Sequence, residues 1–265
     1  MCKDCGCSIT DHHHDHHEHG HHHDHDDHHH HHHHHDERLD TVHANPQLND
    51  KKTVAVITKI LDKNDTQARH NREHFDEHKV LAINLMSSPG SGKTTLLEKL
   101  KSVANFKYAV IEGDLETSRD ADRLKNVGID AYQIQTGSAC HLDAFMVHKA
   151  LHHLPLDPID VCFVENVGNL VCPASYDVGT HLNIVLVSVP EGNDKIAKYP
   201  VMFRSADLVL ITKTDLLPHF DYDIEAEKKE ARRLKPNVDI MEINTKDMDS
   251  IKKVADWISF KMGCR

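Results

Sequence analysis

From about residue 79 onward, apolar and polar positions alternate in blocks. Short apolar runs, rich in β-branched residues, occur at 80–86 (VLAINLM), 108–113 (YAVIEG), 131–135 (AYQIQ), 159–166 (IDVCFVEN), 183–189 (NIVLVSV), 207–212 (DLVLIT) and 238–243 (VDIMEI). Runs that stay apolar, instead of alternating every second residue, predict strands buried on both faces. Helix-like stretches lie between most of them, at 93–104, 117–127, 141–153, 222–235 and 247–262. Strand and helix in alternation predict right-handed crossovers and an α/β fold, its mostly parallel sheet flanked by helices. No internal repeat is visible.

Two further zones precede this one. In 51–78, Val54, Ile57, Ile60 and Leu61 recur at helical spacing with charges on the other face. This predicts a helical lead-in, broken near Asp62–Asp65 and packed on the main domain. Residues 1–50 carry almost no apolar side chains and predict a disordered tail. The expected organisation is therefore 1–50 tail, 51–78 lead-in and 79–265 main domain.

Composition changes the picture mainly at the front. The overall hydrophobic content of 38% is low only because of the tail. A formal net charge of −11 argues against nucleic acid as a partner. No apolar run approaches the ~20 residues that span a bilayer, and the N-terminus has no apolar signal-peptide core. A cytoplasmic protein is expected. Of the 24 positions 12–35, 18 are histidine, interrupted by Asp15, Glu18, Asp24, Asp26 and Asp27. A purification tag does not carry such acids. Many near-equivalent imidazoles suggest capacity for metal, released on protonation near pH 6.

The first strand-to-helix junction reads NLMSSPGSGKTTLLEKL. Gly90, Ser91, Gly92, Lys93, Thr94 and Thr95 form a phosphate loop: glycines turn backbone N–H groups inward and the next helix adds its positive end. Lys93 would reach the terminal phosphates and Thr94 would ligate Mg²⁺. Ser87 stands where the motif usually starts with glycine. Downstream, LVLITKTDLL places Lys213 and Asp215 after a strand. It is similar to the guanine box N-K-x-D, with Thr212 for Asn. A carboxylate acceptor suits the N1–H and N2–H₂ donors of guanine, so GTP and GDP are the expected nucleotides. NTK at 244–246 occupies the place of the last guanine-contacting loop. Strand ends IEGD and VENVG offer Asp114 and Glu165 as candidate catalytic and Mg²⁺ carboxylates, with Glu112 a weaker candidate. Gly168 is a candidate switch glycine meeting a γ-phosphate.

Seven cysteines are present. Cys2, Cys5 and Cys7 crowd within MCKDCGC, a spacing that suits a metal better than disulfide loops. Cys140 and His141 open the predicted 141–153 helix, and Cys172 follows Gly168 by four residues. Thiolate and imidazole suit Zn²⁺ or Ni²⁺, and the chemistry does not choose between them. Such a set leaves a tetrahedral shell incomplete, which a two-fold dimer could complete. Cys162 reads as a buried strand residue, Cys264 as an exposed one, and His148, His152, His153 and His181 as surface or helix-face residues.

Taken together, MCKDCGC, the His-rich stretch, the phosphate loop, IEGD, TGSACHLDA, ENVGNLVCP, EGNDKIAKYPVMF and the guanine-box region resemble the hydrogenase nickel-incorporation GTPase family (HypB) over essentially the whole chain. The resemblance implies a P-loop GTPase of the signal-recognition/MinD-like (SIMIBI) class. It implies GTP-promoted homodimerisation and nickel delivery to a [NiFe]-hydrogenase large-subunit precursor. It further implies a nickel motif at Cys2, Cys5 and Cys7, and a metal site at Cys140, His141 and Cys172. The implied partners are a HypA-like accessory zinc protein and a prolyl isomerase metallochaperone. Two alternatives remain open: a urease-type nickel-accessory GTPase, and a metal-storage protein with an incidental nucleotide domain. A small-molecule kinase would also fit a phosphate loop, but no acceptor pocket is suggested.

Overall fold

The computed structural model describes residues 51–114 and 119–265. Seven strands appear where the apolar runs predict them: β1 Leu81–Ser87, β2 Tyr108–Asp114, β3 Asp130–Gln135, β4 Val161–Glu165, β5 Leu182–Ser188, β6 Leu208–Thr212 and β7 Asp239–Glu242. They form one sheet in the order β3-β2-β4-β1-β5-β6-β7. Every pairing is parallel.

The helices are α1 Lys51–Glu77, α2 Lys93–Leu100, α3 Arg119–Asn126, α4 Ala144–Leu151, α5 Lys195–Lys198, α6 Pro200–Ser205, α7 Ile224–Leu234 and α8 Met248–Gly263. Short 3₁₀ turns lie at Cys172–Ser175, Val189–Glu191 and Thr214–His219. Alternate strand residues divide between two cores. Leu81, Ile83, Leu85, Phe163 and Leu186 pack beneath α2, α3 and α8. Ala82, Ile111, Cys162 and Val164 pack beneath α1 and α4. On the same face as that core, Val185, Val187, Val209 and Ile211 form a separate cluster beneath α5, α6 and α7.

From β1 the chain moves to β2 and β3 on one side, then crosses after β4 to β5, β6 and β7 on the other. The reversal opens a crevice at the carboxyl ends of β1 and its neighbours, where ligands bind in open parallel sheets.

α1 runs unbroken through Asp62–Asp65, against the expected interruption. Its buried stripe is Leu61, Asn64, Ala68, Asn71 and Phe75, spaced alternately three and four. Two of the five are asparagines that bond to the domain. Asn64 Nδ2 donates to the Asp177 carbonyl at 2.8 Å and its Oδ1 accepts from the Ala144 N–H at 2.9 Å. α4 begins at Ala144 instead of 141, because the Asp143 side chain caps it by accepting from the Met146 N–H at 2.8 Å. Cys140 and His141 therefore lie in the loop before the helix. Among the described residues, no helix is long and apolar enough to cross a membrane.

His181 joins β1 to the chain's last residue. Its Nδ1 accepts from the Ala82 N–H at 2.9 Å, and Arg265 Nη2 lies 2.9 Å from its Nε2. Burial, then the Arg265 charge, push its pKa down to about 4. In the unfolded chain it would titrate near ~6.5. Between these values the unfolded state holds the extra proton. Its contribution to stability is present above pH ~6.5 and is lost as pH falls toward 4. His181→Gln is expected to flatten that acid limb by on the order of 1–3 kcal/mol, checked by urea titrations at pH 7 and pH 4.5.

Candidate nucleotide and metal site

The loop from Ser87 to Lys93 leaves β1 at the crevice. Gly90 and Gly92 adopt positive φ values of 74° and 103°, which side-chain-bearing residues rarely adopt. Ser87 is the last residue of a fully buried strand, so its position needs no glycine. Its Oγ instead accepts from Lys93 Nζ at 3.0 Å. Thr94 Oγ1 donates to Glu165 Oε1 at 2.8 Å. Gly90, Gly92, Lys93, Thr94 and Glu165, with Glu112, Asp114 and Gly168, line a cleft of about 340 Å³.

The second carboxylate oxygens of Glu112 and Glu165 are buried without a hydrogen-bond partner. Burial pushes the Glu112 pKa up to about 8, with nearby Glu165 adding to the shift. Burial likewise raises Glu165 and lowers Lys93, each opposed by the other's charge. Buried oxygen donors beside a threonine hydroxyl are the donor set that a hard cation such as Mg²⁺ takes.

Gly168 lies against the phosphate loop. A Cβ there would stand 2.8 Å from Pro89 Cα and 2.9 Å from its N. Gly168→Ala must push the loops apart, at a cost of about 1–3 kcal/mol. Fluorescent-nucleotide titration is expected to show affinity weakened roughly 5- to 150-fold.

The candidate base-reading residues follow β6, which β5 separates from β1. The Thr212 hydroxyl donates to the Ser91 carbonyl at 2.8 Å, and Lys213 Nζ donates to the Gly90 carbonyl at 2.7 Å. Threonine thus supplies a donor to the phosphate loop from the position where the motif has asparagine. Asp215 pairs with Lys246 at 2.6 Å, which joins the NTK loop to the box. Lys246 holds the Asp215 carboxyl below its usual range.

Cys140, His141 and Cys172 also come together. Their ligand atoms lie within 4.8 Å of one another, with the two sulfurs 2.9 Å apart. His141 is buried, stacks on Tyr176 at 4.0 Å, and its Nε2 has no hydrogen-bond partner. Burial lowers its pKa and keeps the ring neutral, the form that ligates a metal. A soft set of two thiols and an imidazole suits Ni²⁺ or Zn²⁺. Cys2, Cys5, Cys7 and the histidine run lie outside the described residues.

Residues 81–242 match the family profile described as the CobW/HypB/UreG nucleotide-binding domain. The chain is 50% identical over 230 residues to the hydrogenase/urease maturation factor HypB of Helicobacter hepaticus, covering 85% of this chain and 93% of that one. It is 43% identical over 215 residues to the hydrogenase maturation factor HypB of Escherichia coli K12, covering 80% and 74%. The chain belongs to the HypB family. Among solved structures, HypB from Helicobacter pylori in complex with nickel superposes with a TM-score of 0.74 at 46% identity, covering 76% of this chain and 95% of that one. HypB from Archaeoglobus fulgidus gives 0.71 at 36%, covering 76% and 100%.

Several site residues of this HypB-family chain were not singled out from sequence. Asn166 Oδ1 accepts from the Leu142 N–H at 3.0 Å and from the Val167 N–H at 3.0 Å. Asn169 Nδ2 donates to the Cys140 carbonyl at 3.4 Å. Glu191 accepts from the Ser91 hydroxyl at 2.7 Å and caps its own 3₁₀ turn. Arg123 lines the cleft, held by Glu98 and Asp120 at 2.8 Å each. Only ENVGN carried a signal for Asn166 and Asn169, since both flank the switch glycine. Arg123 had none and Glu191 only its place at the head of EGNDKIAKYPVMF, because their roles depend on which helices and turns face the loop.

Proposed function

We propose that this protein is a GTPase that takes up nickel and delivers it to a [NiFe]-hydrogenase large-subunit precursor, with nucleotide state controlling the metal site. The segment 165–172 carries the reading. Glu165 holds Thr94, Asn166 holds Leu142, Gly168 touches Pro89, Asn169 holds Cys140, and Cys172 belongs to the thiol cluster. A displacement at the phosphates must therefore reach the metal ligands within seven residues of chain.

In the hydrolysis step, backbone N–H groups of 90–95 cradle the phosphates and Lys93 exchanges Ser87 for the terminal oxygens. Thr94 and Glu165, with Asp114 beside them, would hold Mg²⁺, which when bound would offset the phosphate charge. Glu165 is also placed to orient the attacking water. Asp215 and Lys213 select guanine, and the bonds of Thr212 and Lys213 to the phosphate loop align base and phosphate together.

Ni²⁺ is the cargo at Cys140, His141 and Cys172, and Zn²⁺ competes there. Three donors leave a position open, which a second copy in a GTP-promoted homodimer would close. Cys2, Cys5, Cys7 and the histidine run would gather and store the ion. The expected partners are the HypA-like zinc protein, the hydrogenase precursor and a prolyl isomerase metallochaperone, all in the cytoplasm. The name of the H. hepaticus relative couples hydrogenase with urease, and this favours urease as a second client.

The test is nickel affinity and oligomer size with GDP and with a non-hydrolysable GTP analogue. A larger dimer fraction and at least a roughly fivefold change in nickel affinity are expected, the low end of typical coupling. No change in either removes the switch.

A further inference from the structure

A second group of metal-ligating side chains lies where α1 packs on α4. His74 on α1 and His78, one residue past its end, are four apart and lie on the same side. His148 on α4 and His152 just beyond its end are also four apart. The His74 and His78 rings stack with centroids 5.1 Å apart. His74 lies 6.2 Å from His152, and His152 4.9 Å from His148. His74, His78 and His148 are half-buried and His152 is exposed, so an ion can enter from solvent.

Two rings have a fixed tautomer. Asn71 is fully buried and its Nδ2 donates to the carbonyls of Ala144 at 2.8 Å and Val178 at 3.1 Å. Its Oδ1 must then accept, so the His148 Nδ1 at 3.2 Å carries the proton and His148 Nε2 keeps its lone pair. Asp157 Oδ1, 2.6 Å from His78 Nδ1, fixes that ring in the same way. An amide or carboxylate behind the far nitrogen is the support that metal-ligating histidines receive.

His148 Nε2 and His152 Nε2 lie 3.4 Å apart. Two nitrogens at ~2.0–2.1 Å from one tetrahedral ion stand about 3.3–3.4 Å from each other. Among the described residues only Cys140, His141 and Cys172 already hold three donor atoms together. We propose that His148 and His152, joined by His74 and His78 once their rings turn toward the ion, form a second site for a divalent transition-metal ion, distinct from the Cys140/His141/Cys172 cluster and bridging α1 to α4. An all-imidazole set takes Zn²⁺ or Ni²⁺ in preference to Mg²⁺ or Ca²⁺. Burial and then the neighbouring rings lower the pKa of His74 and of His148, which keeps both neutral and ready to ligate. The proposal goes beyond nickel delivery and stands on the rings alone.

The test uses crystals of the full chain loaded with Zn²⁺ or with Ni²⁺ alone, and anomalous diffraction above the metal edge. A peak ~2.0–2.2 Å from His148 Nε2 and His152 Nε2 is expected. Peaks at the thiol cluster with none between α1 and α4 would overturn the site, leaving the 3.4 Å contact as a plain N–H···N hydrogen bond. A solution measurement accompanies it in a Cys140→Ala/Cys172→Ala background. There, Zn²⁺ at about 100-fold over its Kd should raise Tm by roughly 5–10 °C. His148→Ala/His152→Ala should remove most of that rise, and a rise unaffected by those substitutions overturns the proposal. Neither readout depends on hydrogenase maturation, so its outcome is separable from that of the delivery reading.

Discussion

Lys93→Ala is expected to abolish GTP hydrolysis and, with it, hydrogenase maturation. The Lys93 amine is buried and bonded to Ser87 at the mouth of the phosphate loop. It is the cation of the loop itself, and no neighbour on that loop can replace it. Losing one preorganised donor to a developing oxyanion costs about 10²–10³ in rate, and a cation that also binds the ground state costs affinity as well. Phosphate release with saturating GTP measures the first effect and nucleotide titration the second. Burial lowers the Lys93 pKa and the Glu165 charge opposes that shift, so losing the amine leaves a buried carboxylate without its neighbouring cation. The unfolding midpoint without nucleotide, compared with the parent protein, separates that stability loss from the loss of catalysis. Maturation at the normal level in cells carrying this variant would sink the GTPase mechanism.

The second large effect is expected at the thiols. In a Cys2→Ser/Cys5→Ser/Cys7→Ser background, Cys140→Ala with Cys172→Ala should remove the sulfur-to-nickel charge-transfer absorption. Nickel affinity at that site should fall by at least about 100-fold, since even supporting residues cost 10- to 100-fold. GTP hydrolysis should change by only a few-fold, because neither sulfur lines the nucleotide cleft. If charge-transfer absorption survives in this variant, the nickel–thiolate site is elsewhere.

The five inner strands were legible because they are buried on both faces, so apolar residues run on with little interruption, whereas the edge strands β3 and β7 are only partly buried. Both ends of all seven strands fall within about two residues of the apolar runs. The lead-in helix was harder. Two of its five buried positions are Asn64 and Asn71, which a reading of apolar spacing passes over. Their value lies in bonds to Asp177, Ala144 and Val178, more than seventy residues away in sequence. The same limit applied to His148 and His152, which read as helix-surface residues until α1 was placed against them. In the nucleotide site, the loop and the box were legible as spacing. The Thr212 departure gained its explanation only from the Ser91 carbonyl it meets.

The Glu165–Cys172 strip also has a genetic consequence. On the proposed reading one short stretch answers to two ligands, so neither ligand's residues can vary without affecting the other. A screen for cells that fail to metallate their hydrogenase should return substitutions at Asn166, Gly168 and Asn169, which touch no metal. Suppressors of those defects should map to Pro89, Leu142 or Gly113, the surfaces on which the strip and its partner loop rest.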